Sequence, residues 1–500
     1  METKYQKLSS ELKRLNSLAG ILGHLGWDMQ SMLPKGAFSS RQNQMTNLTC
    51  ILHEQSTDEE LGQLIYELFD EGQSQFNQYQ WRNILLAKQN FEDSIKIPSE
   101  LIKRRAQISG LGFQKWLEAK ENNSYKIFAP LLQQYIDISR ECSHHLDPEK
   151  HPYDVCLDSF EKGFSSKDID LIFLELKSGL SKIYSKIQSS QKSIKTLPKG
   201  KFDISKQIQL IDEIATTLGF DKNIGRIDTS SHPFTGGGHN TDVRMTTRYD
   251  ENDLSSALLS IIHETGHAIY EQGRMTDQYQ DTPVSMALGM VIHESQSLLL
   301  ERRVGQGEQF INYCFPVIKK YFPEQFEGWT NHDYYLAINK VGPSELRVDS
   351  DEITYPLHII LRYELEKELF NHVIKVEDLN EAWNEKSRLL LGFTPKSESS
   401  GVLQDAHWGD GCFGYFPVYT LGAMAGSQMY DICLKENPKL EANFKNGDFS
   451  EIKTWLNQKV HLKGQLKSAK ELIQELTNSS IDVNSYLNYL DNKYQSVYEY

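Results

Sequence analysis

Residues 258–270 read Leu-Leu-Ser-Ile-Ile-His-Glu-Thr-Gly-His-Ala-Ile-Tyr, a His-Glu-x-x-His motif between apolar residues. The apolar residues on both sides of His-Glu-x-x-His predict a helix that packs against other elements. His263 and His267 are four residues apart, so both side chains project from one helical face. Two imidazoles on one face can reach a single ion about 2.0–2.1 Å away. The stretch therefore predicts a metal-binding helix.

Glu264 follows the first histidine and projects roughly a quarter turn away from the two imidazoles. A carboxylate in that direction lies over an open metal position, where it can take a proton from an attacking water. This pattern is typical of zinc peptidases, with Glu264 as the general base. The alternative interpretation is two core histidines on a helix with a surface glutamate between them.

Zinc in a catalytic site takes a third protein ligand. Tyr270 stands where the metzincin motif, which supplies a third histidine, requires glycine, so that pattern is absent. Glu294 is the best candidate, because it lies on an apolar helix where a free carboxylate would be costly. Glu271 and Glu301 are the alternatives by spacing. Glu271 lies on the same helix as the histidines, and Glu301 is better explained as a surface residue or as a partner of a ligand.

Composition narrows the functional classes. The chain has 500 residues, 39% hydrophobic and 24% charged, which is ordinary for a globular protein with a large core. A net charge of -15 argues against a nucleic-acid partner. The chain contains no apolar run of the eighteen or so residues that a membrane span needs, and no apolar signal region at its start. With six scattered cysteines, these features predict a cytoplasmic protein with reduced thiols.

Helical periodicity dominates the chain, for example over residues 252–272 and 283–304. Residues 224–249 are the exception, because Gly, Ser and Thr cluster there and Val243 and Met245 alternate with polar residues. We predict a small antiparallel sheet with strands near 225–228 and 241–249, directly before the metal-binding helix. No convincing linker divides the chain. The prediction is a mainly α protein, residues 1–500 forming one catalytic unit that could have two lobes.

Five further segments accompany the His-Glu-x-x-His helix in a fixed order. They are HPF at 232–234, DVRMT at 242–246, HESQ at 293–296, LRVDSD at 346–351 and GVLQDAHW at 401–408. With these segments the chain closely resembles the carboxypeptidase Taq family of zinc metallocarboxypeptidases. The resemblance covers essentially the whole chain, and the six motifs together are far more specific than any one of them.

The resemblance implies a mostly helical fold with a long groove, similar to that of peptidyl-dipeptidases and oligopeptidases. It implies an enzyme that removes single residues from peptides with a free C-terminus, uses zinc or sometimes cobalt, and forms homodimers. His263, His267 and Glu294 would be the metal ligands and Glu264 the base. One departure is Leu298, where the family usually has an arginine, so a local ion pair of that arginine is not expected here.

A carboxypeptidase must bind a terminal carboxylate, and arginine does this best through its planar, bidentate guanidinium. Arg347 and Arg244 both lie in family motifs. We favour Arg347, which lies in a turn region followed by acidic residues. The alternatives are a structural ion pair of Arg347 with Asp349 or Asp351, and a role for Arg244 in bracing the sheet.

Stabilisation of the developing oxyanion requires hydrogen-bond donors. By similarity to the related oligopeptidases, His407 and Tyr419 are the predicted pair, with Tyr415 as the next candidate. The alternative is an aromatic core segment. His232 would either contact substrate or hold the sheet to the groove.

Two other functions stay open at this point. An oligopeptidase or dipeptidyl carboxypeptidase would use the same zinc chemistry and release a longer product. A catalytically silent scaffold could keep the fold, although it would have no need for Glu264, His407 and the tyrosines.

Overall fold

Helices make up most of residues 3–500, the part of the chain that the computed structural model describes. The predicted mainly α architecture is confirmed, with one small sheet. The helices are α1 (Lys4–Ser31), α2 (Phe38–Ser56), α3 (Glu59–Asp70), α4 (Gln78–Lys96), α5 (Ser99–Glu121), α6 (Ala129–Leu146), α7 (Pro152–Asp158), α8 (Ser166–Ser189), α9 (Ile204–Thr217), α10 (Leu254–Gln272), α11 (Met290–Leu298), α12 (Glu308–Tyr321), α13 (Asn331–Ile338), α14 (Tyr355–Phe370), α15 (Leu379–Leu391), α16 (Phe416–Glu436), α17 (Leu440–Phe444), α18 (Ser450–Lys459), α19 (Ala469–Thr477) and α20 (Val483–Tyr498).

Helix α10 carries the His-Glu-x-x-His motif and is buried along most of its length. It begins after Asp253, whose carboxylate accepts hydrogen bonds from the backbone N–H groups of Ser255 and Ser256. An N-cap of this kind satisfies N–H groups that have no partner inside the helix. The cap and the apolar residues on both sides of the motif therefore place the metal-binding helix in the main core.

The sheet has three strands, β1 (Gly225–Thr229), β2 (Thr235–His239) and β3 (Asp242–Thr247), in the order β1-β3-β2. β2 and β3 form an antiparallel hairpin, but β1 runs parallel to β3. The predicted small sheet is therefore present, but the antiparallel pairing predicted for it holds only for β2 and β3. β2 was missed because its glycines give no alternating pattern, and β1 becomes parallel because the chain crosses to the opposite edge of β3 before forming the hairpin.

The glycines of β2 allow α1 to pack directly on the sheet. A Cβ atom added to Gly20 of α1 would lie 2.5 Å from the carbonyl oxygen of Gly238, and one added to Gly23 would lie 2.8 Å from that of Gly237. These distances are too short for a real Cβ contact. The cluster around Gly236 is thus explained by close helix–strand contact, and the strand it forms borders the metal-binding helix.

The main apolar core runs from Trp116 on α5 to Tyr498 on α20. A second, smaller apolar cluster joins α1, α3 and α4 through Leu8, Ile65 and Ile84. The single catalytic unit of residues 1–500 stays a prediction. Within the described residues, no helix combines the length and apolar character required to cross a bilayer.

Candidate metal centre and active site

Two consecutive helices bring the predicted metal ligands together. His263 and His267 on α10 meet Glu294 on α11, and one possible ligand atom from each lies within 4.8 Å of the others. Oε2 of Glu294 is 3.7 Å from Nε2 of His263 and 3.6 Å from Nε2 of His267. Ligands about 2.0–2.1 Å from a tetrahedral ion would lie roughly 3.3–3.4 Å apart. The spacing and the two-nitrogen, one-oxygen donor set fit a zinc-type ion.

Glu294 is held in place on both sides of its carboxylate. The Tyr415 hydroxyl donates to Oε1 at 2.9 Å, and the Ser297 hydroxyl donates to Oε2 at 3.0 Å. The residue is only 2% exposed. A buried carboxylate with fixed donors is oriented before a cation arrives, as metal ligands generally are.

Helix α11 reaches this position because glycines line both neighbouring helices. A Cβ atom on Gly266, inside the His-Glu-x-x-His motif, would lie 2.5 Å from the carbonyl oxygen of Gln296 and from Cα of Ser297. On the opposite side, a Cβ on Gly422 of α16 would lie 2.6 Å from Cβ of Glu294. The small residues therefore set the distance between the two histidines and Glu294.

We expect Gly266→Ala to destabilise the protein by about 1–3 kcal/mol, since an added methyl meets backbone that cannot move without shifting α11. Gly26→Ala on α1 is the matched control. Its Cβ would meet only Cε of Met45 at 3.8 Å, so it should be neutral or stabilise by up to about 1 kcal/mol. Chemical denaturation and metal content would be measured for both. Equal stability of the two variants would contradict the close-packing argument.

His263 is oriented by a carboxylate behind it. Its Nδ1 is 2.8 Å from Oε2 of Glu301, which lies in a π-helical segment, Leu299–Gly305, that continues α11. Burial acts to lower the pKa of His263, but the hydrogen bond and charge of Glu301 outweigh it and raise the pKa to about 9. Arg302 pairs with the other oxygen of Glu301 at 3.0 Å. Such partners fix the tautomer and ring orientation of a metal-binding histidine.

His267 is oriented through a second histidine. Its Nδ1 is 2.6 Å from Nδ1 of His293, and Nε2 of His293 is 2.9 Å from Oε1 of Glu271. Arg274 forms a 2.8 Å ion pair with Glu271, so the chain of contacts runs from His267 through His293 and Glu271 to Arg274. Glu271 thus lies behind the ligands, outside the metal group. Sequence reasoning missed the role of His293, although its place beside Glu294 in the HESQ motif was a usable signal.

Glu264 is buried beside the metal group, and Thr235 of β2 donates a 2.6 Å hydrogen bond to its Oε2. Burial raises the pKa of Glu264 to about 7, against the opposing effects of His263 and Thr235. A carboxyl group with a pKa near neutrality can both accept and return a proton. The sheet therefore positions the predicted base.

The predicted oxyanion residues form one aromatic cluster next to Glu294. Nε2 of His407 is 3.1 Å from the Tyr419 hydroxyl, and the rings of Tyr415 and Tyr419 are 5.1 Å apart. Tyr415 is the member that contacts Glu294. Nδ1 of His407 is buried and has no hydrogen-bond partner among the described residues. The arrangement leaves His407 and Tyr419 as hydrogen-bonding groups beside the metal group.

Arg347 joins this cluster. Its guanidinium lies 4.8 Å from the Tyr419 ring centre, and it pairs with Asp405 at 2.8 Å and donates to the Tyr355 hydroxyl at 2.9 Å. The residue is 4% exposed. The alternative interpretation of Arg347, a structural ion pair, is therefore present in the structure, but its partner is Asp405 and neither Asp349 nor Asp351. Asp405 is the partner because the loop that carries His407 folds back over the turn at Arg347.

Asp351 has a separate task that explains why it does not pair with Arg347. Its carboxylate accepts from the backbone N–H groups of Gly342, Ile353 and Thr354. It therefore fixes the turn that leads into α14.

Arg244 lies on the sheet, where it pairs with Asp242 at 2.8 Å and stacks on Trp27 at 4.8 Å. These contacts fit the bracing role that was the alternative for Arg244. His232 lies in the connection between β1 and β2 and is exposed to solvent. The protein around it, followed by the charge of Arg347, lowers the pKa of His232 to about 4.

Comparison with known proteins places the chain in a family. Residues 7–494 match the family model described as carboxypeptidase Taq (M32) metallopeptidase. The chain is 36% identical to carboxypeptidase 1 of Bacillus subtilis, with 97% of each chain covered. It is 31% identical to thermostable carboxypeptidase 1 of Pyrococcus furiosus, with 98% of each covered.

A solved structure agrees with this assignment. The M32 carboxypeptidase of Deinococcus radiodurans superposes with a TM-score of 0.93 at 33% identity, covering 99% of this chain and 100% of the other. The whole fold is therefore shared along with the motifs. The chain belongs to the carboxypeptidase Taq (M32) family of metallopeptidases, and it is a metallocarboxypeptidase that hydrolyses peptides.

Proposed function

We propose that this carboxypeptidase uses zinc and releases one amino acid at a time from peptides with a free C-terminus. The observation that carries the proposal is the position of Arg347 relative to the metal group. Its guanidinium contacts Tyr419, Tyr419 packs on Tyr415, and Tyr415 donates to Glu294. A cationic anchor this near the metal group favours release of a short product.

His263, His267 and Glu294 would hold the ion. When bound, zinc supplies a Lewis acid that polarises the scissile carbonyl and makes water a better nucleophile at neutral pH. Cobalt accepts the same donor set, so these ligands do not choose between the two metals. Glu301 and His293 keep the two imidazoles turned toward the ion.

The proton steps belong to Glu264. Its carboxylate takes a proton from the attacking water and then gives it to the nitrogen of the leaving amino acid. Thr235 keeps Oε2 of Glu264 in a fixed place throughout, since it bonds to both the side chain and the backbone carbonyl of that residue. Arg347 holds the carboxylate of the departing residue.

Tyr419 and His407 would stabilise the oxyanion. We expect Tyr419→Phe to lower kcat by about 10²–10³-fold, the usual cost of losing one such donor. Tyr415→Phe is the matched control, because its hydroxyl is committed to Glu294 and its loss should weaken metal affinity more than kcat at saturating metal. Steady-state kinetics at several zinc concentrations would separate the two. The reverse pattern would assign the oxyanion role to Tyr415.

We expect Arg347→Lys to lower kcat/KM by about 10–100-fold, because a charge-assisted bidentate contact is worth about 1.5–3 kcal/mol. Arg244→Lys should change kcat/KM much less, since Arg244 contacts Asp242 and Trp27 at the sheet, whereas Arg347 contacts the aromatic cluster next to Glu294. Each variant would be assayed on one peptide and on its C-terminal amide. Wild-type enzyme should prefer the free acid, and Arg347→Lys should lose that preference. Loss of the preference in Arg244→Lys alone would exchange the two roles.

The size of the product tests the proposal as a whole. One defined peptide of about ten residues would be incubated with the zinc-loaded enzyme and sampled over time by mass spectrometry. We expect losses of single C-terminal residues in sequence. Dipeptides or internal fragments as the first products would show a dipeptidyl carboxypeptidase or an oligopeptidase instead.

Dimerisation and a cytoplasmic location complete the proposal. The family resemblance supports the homodimer. The cytoplasmic location is supported by the six cysteines, which are all free thiols in the structure. Light scattering on the purified enzyme would give the mass of the assembly against 57.5 kDa for one chain.

A further inference from the structure

A cleft of about 540 Å³ opens beside the π-helical segment Leu299–Gly305. It lies between that segment and α20, with α13, α16 and α17 completing its wall. None of the residues assigned above to metal, substrate or oxyanion lines it. The cleft therefore has a lining that differs from the residues of the metal group and of the aromatic cluster beside it.

Three of the buried lining residues are charged or carry an amide group. Arg302 and Lys493 are 8% and 9% exposed, and Gln306 is 4% exposed. The amide oxygen of Gln306 is buried without a hydrogen-bond partner among the described residues. Arg303 is held between the rings of Tyr430 and Tyr489, at 4.5 and 4.0 Å from their centres. These polar side chains are placed rigidly, which is typical of a binding site.

The positive charges of the cleft lie at its floor, and its negative charges lie at its rim. Arg302 pairs with Glu301 and Lys493 pairs with Glu352, and neither of those carboxylates lines the cleft. The floor therefore presents guanidinium and ammonium groups, with their counter-charges behind them. The carboxylates that do line the cleft are exposed ones at its rim. Asp431 pairs there with Arg303 at 2.6 Å, and Glu441 accepts a hydrogen bond from the Tyr430 hydroxyl at 3.0 Å.

This distribution selects against a simple ion. An anion alone could reach the cations of the floor, but it would also lie near the rim carboxylates, which repel it. A cation alone would be repelled by the positively charged floor. A molecule that carries both charges satisfies both ends, with its carboxylate on the floor and its ammonium group at the rim.

We propose that the cleft is a second binding site for a small zwitterion, a free amino acid or a short peptide, and that it is coupled to the metal group. The coupling runs through Arg302, which lies on the floor of the cleft and holds Glu301 at 3.0 Å. Glu301 in turn is 2.8 Å from Nδ1 of His263. A carboxylate that binds Arg302 competes with Glu301 and so changes the support of His263.

Calorimetry on zinc-loaded Glu264→Gln enzyme, in which hydrolysis is blocked, tests the binding. The probes are L-alanine and L-alanyl-L-alanine, with acetate and ethylamine as single-charge controls. Asn488→Trp on α20 would fill the exposed mouth of the cleft, and Asn492→Trp is a second blocking variant. Gln474→Trp on α19 is the matched control, since it is exposed and does not line the cleft.

At least one zwitterion should bind at about two sites per chain in the parent and in Gln474→Trp, and at about one site in either blocking variant. The probe that shows the second site identifies its source, amino acid or peptide. One site in all four proteins would overturn the proposal, as would equal binding of acetate at the cleft. This result does not depend on the size of the hydrolysis product.

The coupling is tested in enzyme with Glu264 intact. L-alanine should change kcat by at least about twofold in wild type and in Gln474→Trp, and should leave kcat unchanged in Asn488→Trp. Competition at the peptide groove would raise KM in all three and is thereby distinguished. An unchanged kcat in every protein would overturn the coupling.

Discussion

Replacing Glu264 with glutamine is expected to remove nearly all turnover while the metal stays bound. Glutamine keeps the size and the hydrogen bond from Thr235 but cannot accept a proton at neutral pH. General bases contribute about 10²–10⁴-fold, so we expect kcat to fall by roughly 10³-fold or more. Kinetics on a defined peptide and elemental analysis for zinc would be measured on the same preparation.

Thr235→Val provides the matched control for this variant. It removes the hydrogen bond to Oε2 of Glu264 but leaves the base in place, so its loss of kcat should be far smaller. If Glu264→Gln kept its zinc and worked within about tenfold of wild type, another residue would have to be the base.

Replacing Glu294 with alanine is expected to remove both the metal and the activity. The change leaves two imidazoles on α10 without the oxygen donor and leaves the Tyr415 hydroxyl without its acceptor. Loss of a residue that hydrogen-bonds to a metal ligand usually lowers metal affinity by about 10–100-fold, and loss of the ligand itself should lower it further. Zinc affinity would be measured by competition with a chromophoric chelator.

Glu301→Gln gives the comparison that makes this result specific. It keeps all three proposed ligands and weakens only the support of His263, so its affinity should fall by about 10–100-fold and less than that of Glu294→Ala. If Glu301→Gln lost more zinc than Glu294→Ala, Glu301 would be the third ligand. Normal zinc content in Glu294→Ala would exclude Glu294 altogether.

The sequence predicted the elements whose signals are local. Helix periodicity and an apolar flank identified α10, and the four-residue spacing placed two imidazoles on one face. The cost of an isolated carboxylate in an apolar helix pointed to Glu294. The helix and the common face of its two imidazoles could be predicted because neighbours along one helix have a geometry set by 3.6 residues per turn.

The surroundings of the metal group were less predictable, because the contacts there join segments that are distant in the sequence. Asp405 pairs with Arg347 across 58 residues, and Tyr415 meets Glu294 across 121. Contacts between residues so far apart follow neither helical nor strand periodicity, so the sequence pattern does not reveal them. The same reason explains the sheet, where the parallel pairing of β1 depends on which edge of β3 the chain crosses to.

By itself, the sequence determined that the molecule is mainly helical and, through its motifs, which family it resembles. It also determined that His263 and His267 share one face of α10, from which a metal-binding helix with Glu264 as its base was predicted. Only the tertiary structure decided which carboxylates support the ligands, which arginine lies beside the metal group, and how close α11 approaches α10. The physical reason is that helix geometry is set by neighbours in the chain. The distance between helices is set by the small residues where they touch, and here Gly266 and Gly422 allow that contact.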